Sequence, residues 1–312
     1  MAEGGPSRLC ESLRNRIRPE PVDRPRSSHG VPCHRVRGCG VRCIGASAQG
    51  RGMTPPPPPT GFLPVANWRY WDVIVVFFSG AIGSVFVAAG VVASGADPLD
   101  PLPFSLIFGA QVAFSLTMAW FLSRSRGSGS LAADVGLIVK PSDWWGVFAG
   151  MGLQVVIAIM TAPIIVWFWP DGPPTQGVAG VAESSETLVE QLAVLAVVAV
   201  GAPIIEEIIF RGMLLSILSR ALSKWPAILI SAAIFSAVHL LDPDARAVIP
   251  GLFLLGIVLG WVARRRGDLS LAIAMHSGIN LLAAVTLLYG DSILNWAETQ
   301  LEELEAVIHL LG

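Results

Sequence analysis

Cysteine is missing from most of this 312-residue chain: Cys10, Cys33, Cys39 and Cys43 are its only four, all near the N-terminus. The long remainder therefore has no thiol for a disulfide, a thiolate metal site or a cysteine nucleophile. Charge is also scarce. Only 14% of residues are Asp, Glu, Lys or Arg while 53% are apolar, which excludes an ordinary soluble domain. The N-terminal stretch lacks the apolar run of a signal peptide, and its acidic residues argue against a transit peptide. There is no His-Glu-x-x-His pattern. Ser277 follows His276, but no Ser-His-Asp set accompanies it. No internal repeat is present, and nothing points to a nucleic-acid partner.

What is present divides at about residue 52. Residues 1–52 hold ten Arg against four acidic residues, whereas the rest holds eleven basic against nineteen acidic residues. The basic leader, 1–52, reads as disordered or as a misassigned start, with Met53 opening the run MTPPPPPTGF. Five prolines keep such a segment extended, so 53–70 reads as a cytoplasmic tail. Cys39 and Cys43 lie near His34 at a spacing that fits no zinc knuckle.

Beyond that, apolar runs long enough for about 20 helical residues recur near 71–95, 102–123, 144–169, 187–219, 225–241, 247–263 and 269–289. The expected fold is all-α, a polytopic transmembrane helix bundle of about seven spans. Flanking charge alternates: Arg69, the 124–140 segment, Arg220 with Lys224, and Arg264 to Arg266 fall on one side. Asp97, Asp100, Asp171, Glu183, Glu186, Asp242 and Asp244 fall on the other. Basic loops stay in the cytoplasm, so the expectation is a cell-membrane protein with a cytoplasmic N-terminus and an external C-terminus. Trp68, Trp71, Trp144, Trp145, Trp167 and Trp169 sit at span ends, where amphipathic rings settle. Residues 71–139 read as accessory helices and 140–290 as the core. Residues 291–312, with Glu298, Glu302 and Glu305 opposite an apolar stripe, read as an acidic amphipathic helix.

Several polar residues interrupt the apolar spans. Glu206 and Glu207 lie within AVGAPIIEEIIF, and an ionised group at bilayer depth costs about 2.5–3.5 kcal/mol on insertion scales. Glu207 faces Arg211 one turn on, so that pair accounts for itself. Successive helical residues differ by about 100° in direction, which leaves Glu206 without a partner. His239, on the face of Phe235, and His276, on the face of Asn280, occupy two other spans. One such histidine is explained by a hydrogen bond between helices. Two of them, with a spare carboxylate in a third span, indicate a site. Gly201 and Pro203 precede the glutamates and predict a kink, which is tolerated at membrane depth where it lines a polar cavity. Counting along the spans puts His276 shallow and His239 near the outer end of its helix, so bringing both to Glu206 demands tilt or re-entry.

Glu-Glu-x-x-x-Arg at 206–211, Phe-x-x-x-His at 235–239 and His-x-x-x-Asn at 276–280 together resemble the signature of the CPBP family, the CAAX-processing and bacteriocin-processing (Abi-like) intramembrane proteases. The resemblance covers roughly 140–290. It implies an endopeptidase in which Glu206 is the general base, His239 helps hold the attacking water, and His276 and Asn280 stabilise the oxyanion. Glu207, Arg211 and Phe235 would support the site. It implies a peptide or protein substrate, prenylated in the eukaryotic case, reached within the lipid bilayer. No cofactor is required, although two glutamates and two histidines are also zinc-ligand types, so a divalent metal stays open. The competing classes are a non-catalytic immunity or scaffold protein of the same fold and a small proton-coupled transporter. The absence of paired interrupted helices in two halves weighs against the transporter.

Overall fold

Every regular element among the described residues, 66–174 and 177–311 of a computed structural model, is helical. Contacts divide the chain into Met1–Pro57 and Pro58–Gly312, and the described residues belong to the second. The four cysteines, His34, Met53 and most of the 53–70 tail lie outside the described residues.

The helices are α1 (Tyr70–Ala93), α2 (Pro101–Arg126), α3 (Leu131–Val135), α4 (Gly146–Phe168), α5 (Gly177–Glu183), α6 (Leu188–Ala221), α7 (Lys224–Val238), α8 (Ile249–Arg266) and α9 (Ser270–Leu311). Local chemistry sets their ends. Pro101 stands at the start of α2, where its missing N–H costs nothing. The Thr187 hydroxyl accepts from Glu190 N while the Glu190 carboxylate accepts from Thr187 N, the reciprocal cap expected for α6. Gly136 and Gly267 close α3 and α8 with φ of 73° and 74°, a left-handed conformation that favours glycine.

Six helices are long and apolar enough to cross a bilayer: α1, α2, α4 with its leading 3₁₀ turn, α6, α7 with its trailing 3₁₀ turn, and α9 up to Gly290. The sixth of the seven expected spans differs. It forms α8, but Arg264, Arg265 and Arg266 make up its last turn. That leaves about 15 apolar residues, roughly 22 Å of rise against about 30 Å of hydrocarbon. The acidic tail is not a separate element either: Gly290 does not interrupt the helix, and α9 continues unbroken to Leu311.

α6 is the central element, touched by α1, α2, α7, α8 and α9, and every residue from Glu207 to Leu218 is buried. Around it α1 packs along α2, α7 along α8, and α4 along α9. The last pair is close because of Gly150 and Gly278: a Cβ on either would collide with the backbone of Met275 or Val147. Small residues let membrane helices approach in this way where apolar burial gives no advantage over lipid.

One end of the bundle is tied by ion pairs. Arg126 pairs with Asp72, Lys140 with Asp268, and Arg266 with Asp143, and all three carboxylates are buried. Asp134, between α2 and α4, is buried at the same end. Burial pushes its carboxyl up, but hydrogen bonds from Ser123 Oγ at 2.5 Å and from Ser128 N outweigh that and hold it below the usual carboxylate range.

Candidate active site

α6 is not uniformly α-helical where the two glutamates sit. Ala196–Gly201 and Ile208–Leu214 are π-helical, and the α-helical turn between them, Ala202–Glu207, carries Pro203, Glu206 and Glu207. Pro203 cannot donate to the ladder, and the backbone answers by widening on both sides of it rather than breaking. Glu206 keeps 22% of its side-chain surface exposed, whereas Glu207 has none.

Glu207 is held from two helices. Arg211 Nη1 donates to its Oε1 at 2.7 Å, and His276 Nδ1 lies 3.0 Å from the same oxygen. The i, i+4 partnership was legible in the sequence; the contact with His276 was not, because it joins residues 69 positions apart on α6 and α9. Arg211 is itself buried, with its guanidinium carbon 4.4 Å from the centre of the Phe235 ring and Nη2 directed at Gly256 O at 3.5 Å. Among the described residues Glu207 Oε2 has no hydrogen-bond partner.

His276, 2% exposed, turns its other nitrogen toward Glu206, with Nε2 3.6 Å from Oε2. That is beyond direct hydrogen-bond reach and within reach of a shared water. Four residues on, the Asn280 side-chain amide donates to Val198 O at 2.9 Å, a carbonyl in the first π-helical stretch. His239 caps the end of α7, where Nδ1 contacts Phe235 O at 2.9 Å. The Phe235 ring lies edge-on to both histidines, 5.1 Å from His239 and 5.9 Å from His276.

Glu206, His239, His276 and Asn280 thus come together on the wall of one cavity of about 970 Å³, while Glu207 and Arg211 lie behind it. The element that carries His239 is short. α7 has 15 residues, a rise of about 22 Å, and gives way to 3₁₀ turns at His239–Leu241 and Pro243–Ala247. Just before α9, Asp268 and Leu269 are buried, and Leu269 N donates to Gly136 O at 3.0 Å.

With this geometry in view, residues 188–282 match the family model described as type II CAAX prenyl endopeptidase Rce1-like. That segment resembles this family. It runs from the first residue of α6 into α9, and contains both glutamates, both histidines and Asn280. The match is narrower than the 140–290 resemblance and leaves out α1 to α5. Comparisons with curated proteins and with solved structures gave no match.

In the Rce1-like segment, zinc-type donors meet only in part. Glu206 and His276 face each other, but Glu207 is committed to Arg211, and among the described residues no three His, Cys, Asp or Glu form a metal-holding group. Sequence reasoning also missed two neutral residues on the cavity wall, Gln111 of α2 and Gln154 of α4. It searched for ionisable groups within apolar runs, and an amide at the middle of a span carries the same kind of signal more faintly.

Proposed function

We propose that this protein is an intramembrane endopeptidase that hydrolyses a peptide bond by water activation at Glu206. The observation that carries the reading is the facing pair of Glu206 Oε2 and His276 Nε2, 3.6 Å apart on the wall of a largely apolar cavity. Glu206 takes a proton from a water as its oxygen bonds to the scissile carbonyl carbon. The oxyanion that forms is met by Asn280, whose amide has a second hydrogen besides the one given to Val198 O, and by His276. Donation from His276 to an oxyanion needs a proton on Nε2. Nδ1, on the other side of the ring, faces the Glu207 carboxylate. Collapse breaks the C–N bond, and the proton held by Glu206 passes to the departing amine. His239 helps hold the water. The test is cleavage of a membrane peptide by the purified chain in lipid, with Glu206→Gln as its control.

Asn280→Ala is expected to lower turnover by about 10² to 10³ and leave measurable activity, the usual cost of one oxyanion donor. Turnover unchanged within a factor of two would remove Asn280 from the mechanism.

The reading places the end bearing Arg126, Lys140, Arg220 and Arg266 in the cytoplasm. A cysteine at exposed Arg265 in a Cys-free variant should resist an impermeant thiol reagent in intact cells and react after lysis. Labelling in intact cells would reverse the orientation.

A further inference from the structure

The cavity is larger than water activation requires and is walled well beyond the Rce1-like segment. Phe104, Phe108, Gln111 and Ser115 of α2, and Gln154 and Thr161 of α4, all face it. Ser115 and Thr161 spend their hydroxyls on the backbone carbonyls of Val76 and Ile157. The amides of Gln111 and Gln154 differ, because neither has a hydrogen-bond partner among the described residues. Both sit near the middle of their spans, within Pro101–Arg126 and Pro141–Phe168. Both side chains are half-buried and line the cavity, so their bonding capacity is left to whatever occupies it.

The stem of Gln111 lies close to α1. α1 presents Gly80 to it, and a Cβ there would collide with Ser115 Oγ and stand 2.9 Å from Gln111 O and 3.1 Å from Gln111 Cγ. Each free amide offers N–H donors and a carbonyl acceptor, the complement of an extended peptide backbone. Among the described residues the cavity lining includes no Lys and no Arg, and its acids are Glu206 and Asp242. A carboxylate brought into such a cavity would lose its water and gain no cation beyond a histidine already faced by two glutamates.

Building on the proteolytic reading above, we propose that Gln111 and Gln154 bind the backbone of an uncharged, extended stretch of peptide in this cavity. The protein would thus cut within an apolar segment and not beside a free C-terminal carboxylate. Substrate choice would then lie partly in α2 and α4, outside the segment that resembles CAAX endopeptidases.

The experiment uses the full chain carrying Glu206→Gln, in lipid nanodiscs, with a dansyl-labelled Leu/Ala-rich peptide prepared as the C-terminal amide, as the free acid, and as the amide with N-methylated backbone. Adding Gln111→Leu or Gln154→Leu should weaken binding of the plain amide about three- to tenfold, the range for one hydrogen bond. The N-methylated peptide should lose much less on the same substitutions, and the free acid should bind more weakly than the amide throughout. Equal losses for the plain and N-methylated peptides would show structural damage instead of backbone recognition, and would overturn the proposal. So would unchanged affinity in both variants, or tighter binding of the free acid. Cleavage by the chain with Glu206 intact is read alongside. Glutamine-dependent binding with no cleavage would sink the protease reading and leave the clamp, whereas cleavage with glutamine-independent binding would do the reverse.

Discussion

Glu206→Gln is expected to lower peptide-bond cleavage by about 10² to 10⁴ while leaving the helix bundle folded. The amide matches the carboxylate in size and keeps one acceptor oxygen, but it cannot take a proton from water. Among the described residues Glu206 makes no direct hydrogen bond, and it retains solvent access, so the fold loses little by the exchange. The same assay separates water activation at a carboxylate from metal catalysis. A pure Glu/His enzyme keeps its rate after chelation, whereas a metal-dependent one loses activity and regains it on adding the ion. A non-catalytic scaffold of the same fold would keep its biological effect in the variant. Wild-type turnover by purified Glu206→Gln protein, on a substrate verified by mass spectrometry, would end the assignment.

Arg211→Ala is expected to act on stability, by about 3–5 kcal/mol, because it strands the fully buried Glu207 carboxylate without its cation. Glu207 Oε2 already lacks a partner, and the remaining contact of Oε1 with His276 cannot replace a guanidinium at 2.7 Å. The loss also removes the cation over Phe235, the ring that packs against both histidines. Thermal and denaturant unfolding in detergent measure the effect. The pair Glu207→Gln with Arg211→Met should recover much of the stability, since no charge is left buried, yet remain poorly active because His276 loses its anionic partner. A single Arg211→Ala variant as stable as the parent would show that the buried pair is worth little here.

The span pattern was legible because a bilayer imposes a length and composition rule on each helix separately. Runs such as 71–95 and 102–123 match α1 and α2 within a few residues. The rule gave way at α8, where three arginines end the helix, and at α9, where nothing after residue 289 stops the backbone from continuing. The i, i+4 pair of Glu207 and Arg211 was likewise readable, since helical geometry alone places them together.

By itself the sequence determined an all-helical membrane protein, the three segments bearing its intramembrane polar residues, and the end of each helix where basic charge collects. These follow from local periodicity and from the cost of placing charge in hydrocarbon, which act on every segment before any tertiary contact forms. Only the tertiary structure decided that Glu207 joins Arg211 to His276, that π-helical turns flank Pro203, and that Gln111 and Gln154 face the same cavity as Glu206. Those depend on how far helices can approach and rotate against one another. Gly150 and Gly278 govern such an approach between α4 and α9, spans far apart in the chain, and no local pattern encodes which pair of spans they bring together.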